Sequence, residues 1–159
     1  MRVHTLVTSM FSHQDLWHLA SNMITFYFFA PTVASLLGRR AFLGLYFGGG
    51  ISSSITHILW PYYIPSSWPA RYKSSVYAPA MGASGAINAL IIYSILTFPR
   101  QIIYVNLILP MPAILFGGLF IFQDVYGLYY GGGRVGNAAH LGGALFGASY
   151  FILRRLKRR

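Results

Sequence analysis

Ser84 and His140 are the two residues of this sequence that could perform nucleophilic catalysis together. A serine hydroxyl is a weak nucleophile until a neutral imidazole at about 2.6–3.2 Å removes its proton. The chain has two acidic residues, Asp15 and Asp124, and both fall outside its long apolar runs. We interpret them as solvated interfacial groups, so the sequence predicts a Ser–His dyad without a carboxylate member.

Small residues surround both members of this pair and would let their helices pack closely. They are Gly82 and Gly85 beside the serine, and Gly143 and Gly147 after the histidine. Close packing of the two helices would bring the imidazole to the hydroxyl. The alternative is that both patterns are ordinary helix-packing motifs, in which Ser84 bonds its own backbone and His140 caps a helix.

His18 and Asn22 are candidates for stabilising the oxyanion that forms during acyl transfer. They are four residues apart, which places them on one side of a helix, one turn apart. Their side chains and the backbone N–H of Ser84 could donate hydrogen bonds to the developing negative charge. Alternatively, the two side chains hydrogen-bond across helices and have only a structural role.

The composition indicates a membrane protein, because 55% of the residues are hydrophobic and only 9% are charged. The net charge is +10, and a basic tail occupies residues 154–159 directly after an apolar run. Such a tail is typical of a segment held at an anionic membrane face. Without a basic and aromatic groove pattern, we expect a lipid partner and no nucleic acid. The lack of cysteine excludes disulfides, thiol catalysis and cysteine metal sites.

Five uncharged stretches approach the length of about 20 residues that a helix needs to cross hydrocarbon. They are Leu16–Leu37, Ala41–Trp60, Ala80–Phe98, Ile102–Phe122 and Asn137–Leu153. Continuous apolar runs favour helices over barrel strands, so the predicted fold class is all-α, a polytopic transmembrane helix bundle. Pro110 and Pro112 are interpreted as kinks within the fourth span. Alternating helix direction places His18, Ser84 and His140 near one membrane face, in a shared polar pocket.

Three fragments of the sequence together resemble the rhomboid family of intramembrane serine proteases. The fragments are Phe11-Ser12-His13 followed by His18 and Asn22, then Gly82-Ala83-Ser84-Gly85, then Ala139-His140 followed by Gly143 and Gly147. The runs 8–14 and 137–147 most resemble the mitochondrial, presenilin-associated branch. The resemblance implies a rhomboid-like bundle whose five helices correspond to family helices two to six. We therefore expect one membrane domain over residues 1–159, N-terminally truncated, with the first core helix missing.

This resemblance implies a serine endopeptidase that cleaves transmembrane segments of membrane proteins. Ser84 would be the nucleophile, His140 the general base, His18 and Asn22 the oxyanion donors, and His13 an architectural residue. No metal and no organic cofactor is expected. The expected partners are transmembrane protein substrates and the lipid bilayer, with the oligomeric state left open. The implied location is multi-pass in the mitochondrial inner membrane, with a bacterial or other cellular membrane as the alternative.

The alternative function is that of a catalytically impaired rhomboid-like protein, which binds membrane clients without cleaving them. The family position four residues after the serine usually holds an aromatic that stacks on the histidine, but here it holds Asn88. His140 would then be oriented by hydrogen bonding or held less rigidly. Retention of Ser84 together with His140 favours the enzyme. His57 is interpreted as an interfacial anchor and His4 as a surface group.

Overall fold

Helices form most of the chain, as the continuous apolar runs predict. The computed structural model describes residues 3–63, 81–105, 108–130 and 136–157. In chain order the elements are α1 (Thr5–Thr8), a 3-10 turn (Ser9–Phe11), α2 (Leu16–Leu37), α3 (Arg39–Tyr63), α4 (Ser84–Thr97), β1 (Ile102–Val105), β2 (Leu109–Pro112), α5 (Ala113–Tyr130) and α6 (Asn137–Leu156). The predicted all-α class is confirmed, with one short antiparallel hairpin added.

Helix α4 is the centre of the bundle. Every residue from Gly85 to Ile95 is buried, as expected for a helix that is apolar all round. Helices α3 and α6 pack along it. A Cβ atom at Gly143 would overlap the carbonyl of Gly85, and one at Gly147 would overlap the carbonyl of Ala89. The backbones of α4 and α6 therefore meet directly, which only glycine permits.

The predicted fourth span, Ile102–Phe122, is wrong. Its first half is a β-hairpin in which Ile102 pairs with Pro112, and the helix begins only at Ala113. The β-branched and aromatic residues of β1 favour a strand. Pro110 and Pro112 lack the N–H that a helix interior needs. The prolines thus precede the helix instead of kinking it.

Other helix ends also differ from the predicted spans. Helix α3 continues to Tyr63, α4 begins at Ser84, and α5 continues to Tyr130. The last difference places Asp124 inside a helix, where the sequence had suggested a solvated loop. Much of both predicted long loops and the end of the basic tail lie outside the described residues.

Helices α2 and α5 are, of the described helices, the two that are long and apolar enough to cross a membrane. Both present large apolar side chains outward, such as Tyr27 on α2 and Phe122 on α5, which are 73% and 64% exposed. An apolar cavity of about 580 Å³ lies between α2, β1 and α5. That all five predicted spans cross a membrane stays a prediction.

Candidate catalytic site

The hydroxyl of Ser84 faces the imidazole of His140. Ser84 is the first residue of α4 and His140 is the fourth of α6, so each side chain projects from the start of its helix. The Oγ atom of Ser84 lies 3.0 Å from the Nε2 atom of His140, which is a hydrogen-bonding distance suitable for a nucleophile and its base. The glycine contacts between α4 and α6 hold the two helices at this separation.

Asp124 of α5 extends this pair into a chain of three side chains. Its Oδ1 atom lies 3.0 Å from the Nδ1 atom of His140, and the residue is only 4% exposed. A buried carboxylate is costly unless it is paired, and the imidazole is its partner here. The prediction that Asp124 is a solvated interfacial group, and that the site lacks a carboxylate, is therefore wrong.

The chemistry of the two partners of His140 assigns the hydrogen of its ring. An ionised carboxylate can only accept, so Nδ1 of His140 donates to Asp124. The Nε2 atom then keeps its lone pair and accepts the hydrogen of the Ser84 hydroxyl. This is the tautomer that a general base requires, and it is the division of roles found in a Ser–His–Asp triad.

An aromatic ring also packs against His140. The ring of Phe120, one turn before Asp124 on α5, stacks on the imidazole with centroids 6.2 Å apart and 24° between the planes. This geometry is within the range of offset-stacked rings. Asn88, the position where the family pattern places an aromatic, is buried one turn after Ser84 on α4. The aromatic contact therefore comes from α5 instead of α4.

His18 and Asn22 lie at the start of α2, at the edge of the catalytic cavity. The exposed Asp15 caps this helix, since its Oδ1 accepts a 2.7 Å hydrogen bond from the His18 backbone N–H. The N–H of Gln14 donates to Nδ1 of His18 at 3.4 Å. With Nδ1 as the acceptor in this long bond, Nε2–H is the donor that the ring presents. Asn22 is buried, and its Nδ2 has no partner among the described residues.

Gly82 packs the serine loop directly onto these two side chains. Its φ of 114° lies in the left-handed region that favours glycine. A Cβ atom there would lie 2.7 Å from Cε1 of His18 and 3.4 Å from Nδ2 of Asn22. The Gly82 N–H donates to the carbonyl of Ser9 at 2.9 Å. The 3-10 turn thereby attaches the loop and keeps both candidate donors beside Ser84.

His13 supports His18 and does not reach the serine. The two rings meet edge-on, with centroids 5.4 Å apart and 72° between the planes. Burial, and to a smaller extent the charge of His18, lowers the pKa of His13 from its ordinary value of 6.5. His13 is therefore neutral near pH 7. Its architectural role, implied by the family resemblance, stays a prediction.

A polar cavity of about 590 Å³ contains the site. Ser84, His140, His18 and Asn22 all line it, and so does Gly85, where an added Cβ would overlap the Ser53 hydroxyl. A polar cavity of this size next to the nucleophile can hold water and part of a peptide. The four residues predicted to act together therefore share one compartment.

Two other histidines lie away from the reacting pair. His57 is buried at 9% exposure on α3, so it is a residue of the bundle interior instead of an exposed interfacial anchor. It is not among the described residues that line the catalytic cavity. His4 is exposed beside α1, in agreement with a surface group.

Sequence reasoning missed Asp124 and Phe120 because it started the fourth helix too early. A membrane-length run that begins at Ile102 ends at Phe122, two residues short of the carboxylate. Proline is common just before or at the first turn of a helix. If Pro112 is taken as the signal for the helix start, the predicted start moves from Ile102 to Ala113, about three turns later. Both missed residues would then have fallen one turn apart on a single helix.

The fold and the site define the class: an α-helical membrane protein in which a serine, a histidine and an aspartate form one hydrogen-bonded chain. The family model of the rhomboid domain matches residues 1–157. The chain therefore belongs to the rhomboid family.

Its relatives include several mitochondrial proteins. RHOMBOID-like protein 12, mitochondrial, of Arabidopsis thaliana is 36% identical over 92% of this chain and 45% of its own length. The presenilin-associated rhomboid-like protein, mitochondrial, of Homo sapiens is 30% identical over 91% of this chain and 36% of its own. Rhomboid protein 1, mitochondrial, of Saccharomyces cerevisiae is 30% identical over 92% of this chain and 40% of its own length. The chain spans less than half the length of these relatives, and no solved structure matches it.

Proposed function

We propose that this protein is an intramembrane serine endopeptidase that cleaves transmembrane segments of other membrane proteins. One observation carries the proposal: the 3.0 Å contact between Oγ of Ser84 and Nε2 of His140. The carboxylate of Asp124 on the opposite ring nitrogen supports it, because it holds the imidazole in the basic tautomer. Membership of the rhomboid family points to the same chemistry.

In the first half of the reaction, Oγ of Ser84 attacks the carbonyl carbon of the scissile bond. Nε2 of His140 takes the hydroxyl proton as the new C–O bond forms. Nε2–H of His18, Nδ2–H of Asn22 and the backbone N–H of Ser84 donate to the resulting oxyanion. That backbone N–H is available because the first N–H groups of a helix have no partner within it.

In the second half, the tetrahedral intermediate collapses and the C–N bond breaks. The proton held on Nε2 of His140 goes to the departing amine, which leaves an ester between Ser84 and the carboxyl half of the cleaved bond. A water molecule from the polar cavity then attacks this ester, with His140 again accepting the proton. The bond between the carbonyl carbon and Oγ then breaks, and Nε2 of His140 returns this proton to Oγ, so that a carboxylic acid leaves and the hydroxyl of Ser84 is restored. The Asp124 carboxylate stabilises the imidazolium in both halves.

Lipid is the proposed surrounding of the bundle. The outward faces of α2 and α5 carry large apolar side chains, and patches of this kind are favourable against hydrocarbon but costly in water. We place all the long helices in the bilayer as a multi-pass protein. The names of the relatives support a mitochondrial location, with the inner membrane as the membrane proposed. Fractionation of organelles with an antibody to this protein tests the location.

A covalent serine probe tests the activity. The chain in lipid nanodiscs is incubated with a fluorophosphonate, whose phosphorus is attacked by an activated serine. We expect labelling that maps to Ser84 and disappears in Ser84→Ala and His140→Ala. Ser94→Ala, which removes a buried serine hydroxyl elsewhere on α4, is the matched control and should be labelled normally. Absence of labelling in the unsubstituted protein would favour the client-binding alternative.

Substrates should contain transmembrane helices that unwind easily, because a helical peptide bond shields its carbonyl carbon from attack. Paired substrates with and without helix-breaking residues near the cleaved bond test this point. Preferential cleavage of the helix-breaking member is expected. Equal cleavage of the two members would count against local unwinding as a requirement.

A further inference from the structure

Asn88 and Asp124 each have one buried polar atom without a hydrogen-bond partner among the described residues. These atoms are Nδ2 of Asn88 and Oδ2 of Asp124, and the residues are 3% and 4% exposed. The first atom is a donor and the second is an acceptor. Buried groups of both kinds are costly when unpaired, so a bond between them would remove both costs.

One contact between α4 and α5 indicates how these two residues lie relative to each other. The helices are antiparallel, since α4 begins at the site and α5 approaches it from the hairpin. Gly117 of α5 meets Ile95 of α4, where an added Cβ would lie 2.9 Å from Cδ1 of the isoleucine. Asn88 is seven residues before Ile95, and Asp124 is seven after Gly117. Seven residues are about two turns, so the same antiparallel packing, continued two turns toward the site, would bring Asn88 opposite Asp124.

Asn88 also lies directly below the nucleophile. It is four residues after Ser84, which puts it on the same face of α4, one turn deeper. The imidazole of His140 therefore has Ser84 at one nitrogen, Asp124 at the other, and Asn88 on the helix face that carries Ser84. Because the ring of Phe120 supplies the aromatic contact, position 88 can carry a polar group.

We propose that Asn88 is a positioning residue for the catalytic carboxylate. Its amide donates to Oδ2 of Asp124, directly after rotation of the side chain or through one bridging water. With Oδ2 held, the plane of the carboxylate is fixed and Oδ1 stays aligned with Nδ1 of His140. This inference rests on the proposed function, because it assigns Asn88 a role in activating Ser84.

A double-mutant cycle tests the role. Asn88→Leu keeps most of the side-chain volume and removes the donor. It is made in the unsubstituted protein and in an Asp124→Asn background, and fluorophosphonate labelling of Ser84 is followed with time. Asn88→Leu should lower the labelling rate about tenfold in the unsubstituted protein. In the Asp124→Asn background it should lower the rate less than about twofold, because the effects of coupled residues are non-additive. The loss should affect the maximal labelling rate, and not the probe concentration at half-maximal rate.

Several outcomes overturn the proposal. An equal loss in both backgrounds would show that Asn88 acts independently of Asp124, and an unchanged rate in Asn88→Leu would show that it does not act at all. Ser94→Ala, another buried polar residue of α4, should leave the rate unchanged. Failure to label the unsubstituted protein would refute the proposed function and the role of Asn88 with it.

A second experiment does not depend on activity or on the stability of the leucine variant. Because the chain has no cysteine, Asn88→Cys with Asp124→Cys introduces one defined pair, which a short thiol cross-linker should join. Asn88→Cys with Val125→Cys is the matched control, since Val125 is 49% exposed and lies on another side of α5. Equal cross-linking of both pairs, or none of the first, would contradict the proposed juxtaposition.

Discussion

The Nδ1 atom of His140 and the Oδ1 atom of Asp124 lie 3.0 Å apart, and they belong to different helices, α6 and α5. Ser84 reaches the same imidazole from a third helix, α4. The candidate site therefore exists only where three helices meet. A displacement of any one of them would separate an acid, a base or a nucleophile from its partner, so helix packing and reactivity should change together.

Asp124→Asn should reduce the reactivity of Ser84 far more than it reduces stability. An asparagine amide can hold the ring in the wrong tautomer and cannot stabilise an imidazolium, and the loss for an equivalent change in a serine protease is about 10⁴-fold. The measurement is the rate of fluorophosphonate labelling. Asp15→Asn changes the other acidic residue of the chain, which caps α2, and is the matched control. Similar losses in both variants would argue against a specific role for Asp124.

Asn22→Leu should lower the rate of peptide cleavage by about a hundred- to a thousandfold, which is the usual effect of removing one oxyanion donor. The Nδ2 atom of Asn22 is buried and without a partner among the described residues, so its removal breaks none of their hydrogen bonds and should not destabilise the fold. Thr25→Val, which removes a hydroxyl bonded to the Ser21 carbonyl further along α2, is the control. A cleavage rate within about twofold of the unsubstituted protein would exclude Asn22 from the oxyanion site.

Gly143→Val should destabilise the bundle and abolish labelling of Ser84. The added side chain would overlap the carbonyl of Gly85, and overpacking of a close contact costs about 1–3 kcal/mol. Gly118→Ala is the control, because an added Cβ there has nothing within 4 Å and alanine favours a helix by about 1 kcal/mol. Thermal unfolding in nanodiscs measures the stability of both variants. Normal stability in Gly143→Val would mean that α4 and α6 do not meet at this glycine.

Stability should fall as the pH drops below about 6.5, in part through His13. Its pKa in the folded protein is lowered by burial and then by the charge of His18. The unfolded chain therefore binds a proton at a higher pH than the folded chain, and acidification favours unfolding. Melting temperatures at pH 7.5 and 5.5 should differ less in His13→Asn than in the unsubstituted protein. His4→Asn changes an exposed position and is the control. Its melting temperatures at the two pH values should differ as much as those of the unsubstituted protein.

Local patterns were sufficient for much of the site. His18 and Asn22 share a helix face because their spacing is that of one turn. Gly82, predicted as a helix-packing residue within the third span, instead lies in the loop before α4 with a positive φ. Predictions failed where two local interpretations competed. The run from Ile102 is apolar enough for a helix, yet its β-branched residues and two prolines form a hairpin, and this error concealed Asp124.

The sequence by itself determined the all-α class, the family and the identity of a serine and a histidine on separate helices. These follow from local properties: apolar length, turn-length spacing and glycine placement. Only the tertiary structure decided that Asp124 and Phe120 contact His140. Such contacts join separate helices. They depend on how far one helix is shifted along its axis relative to its neighbour, which is the level of packing. That level is set by the glycine contacts between helices, such as Gly117 on Ile95, which no single segment encodes.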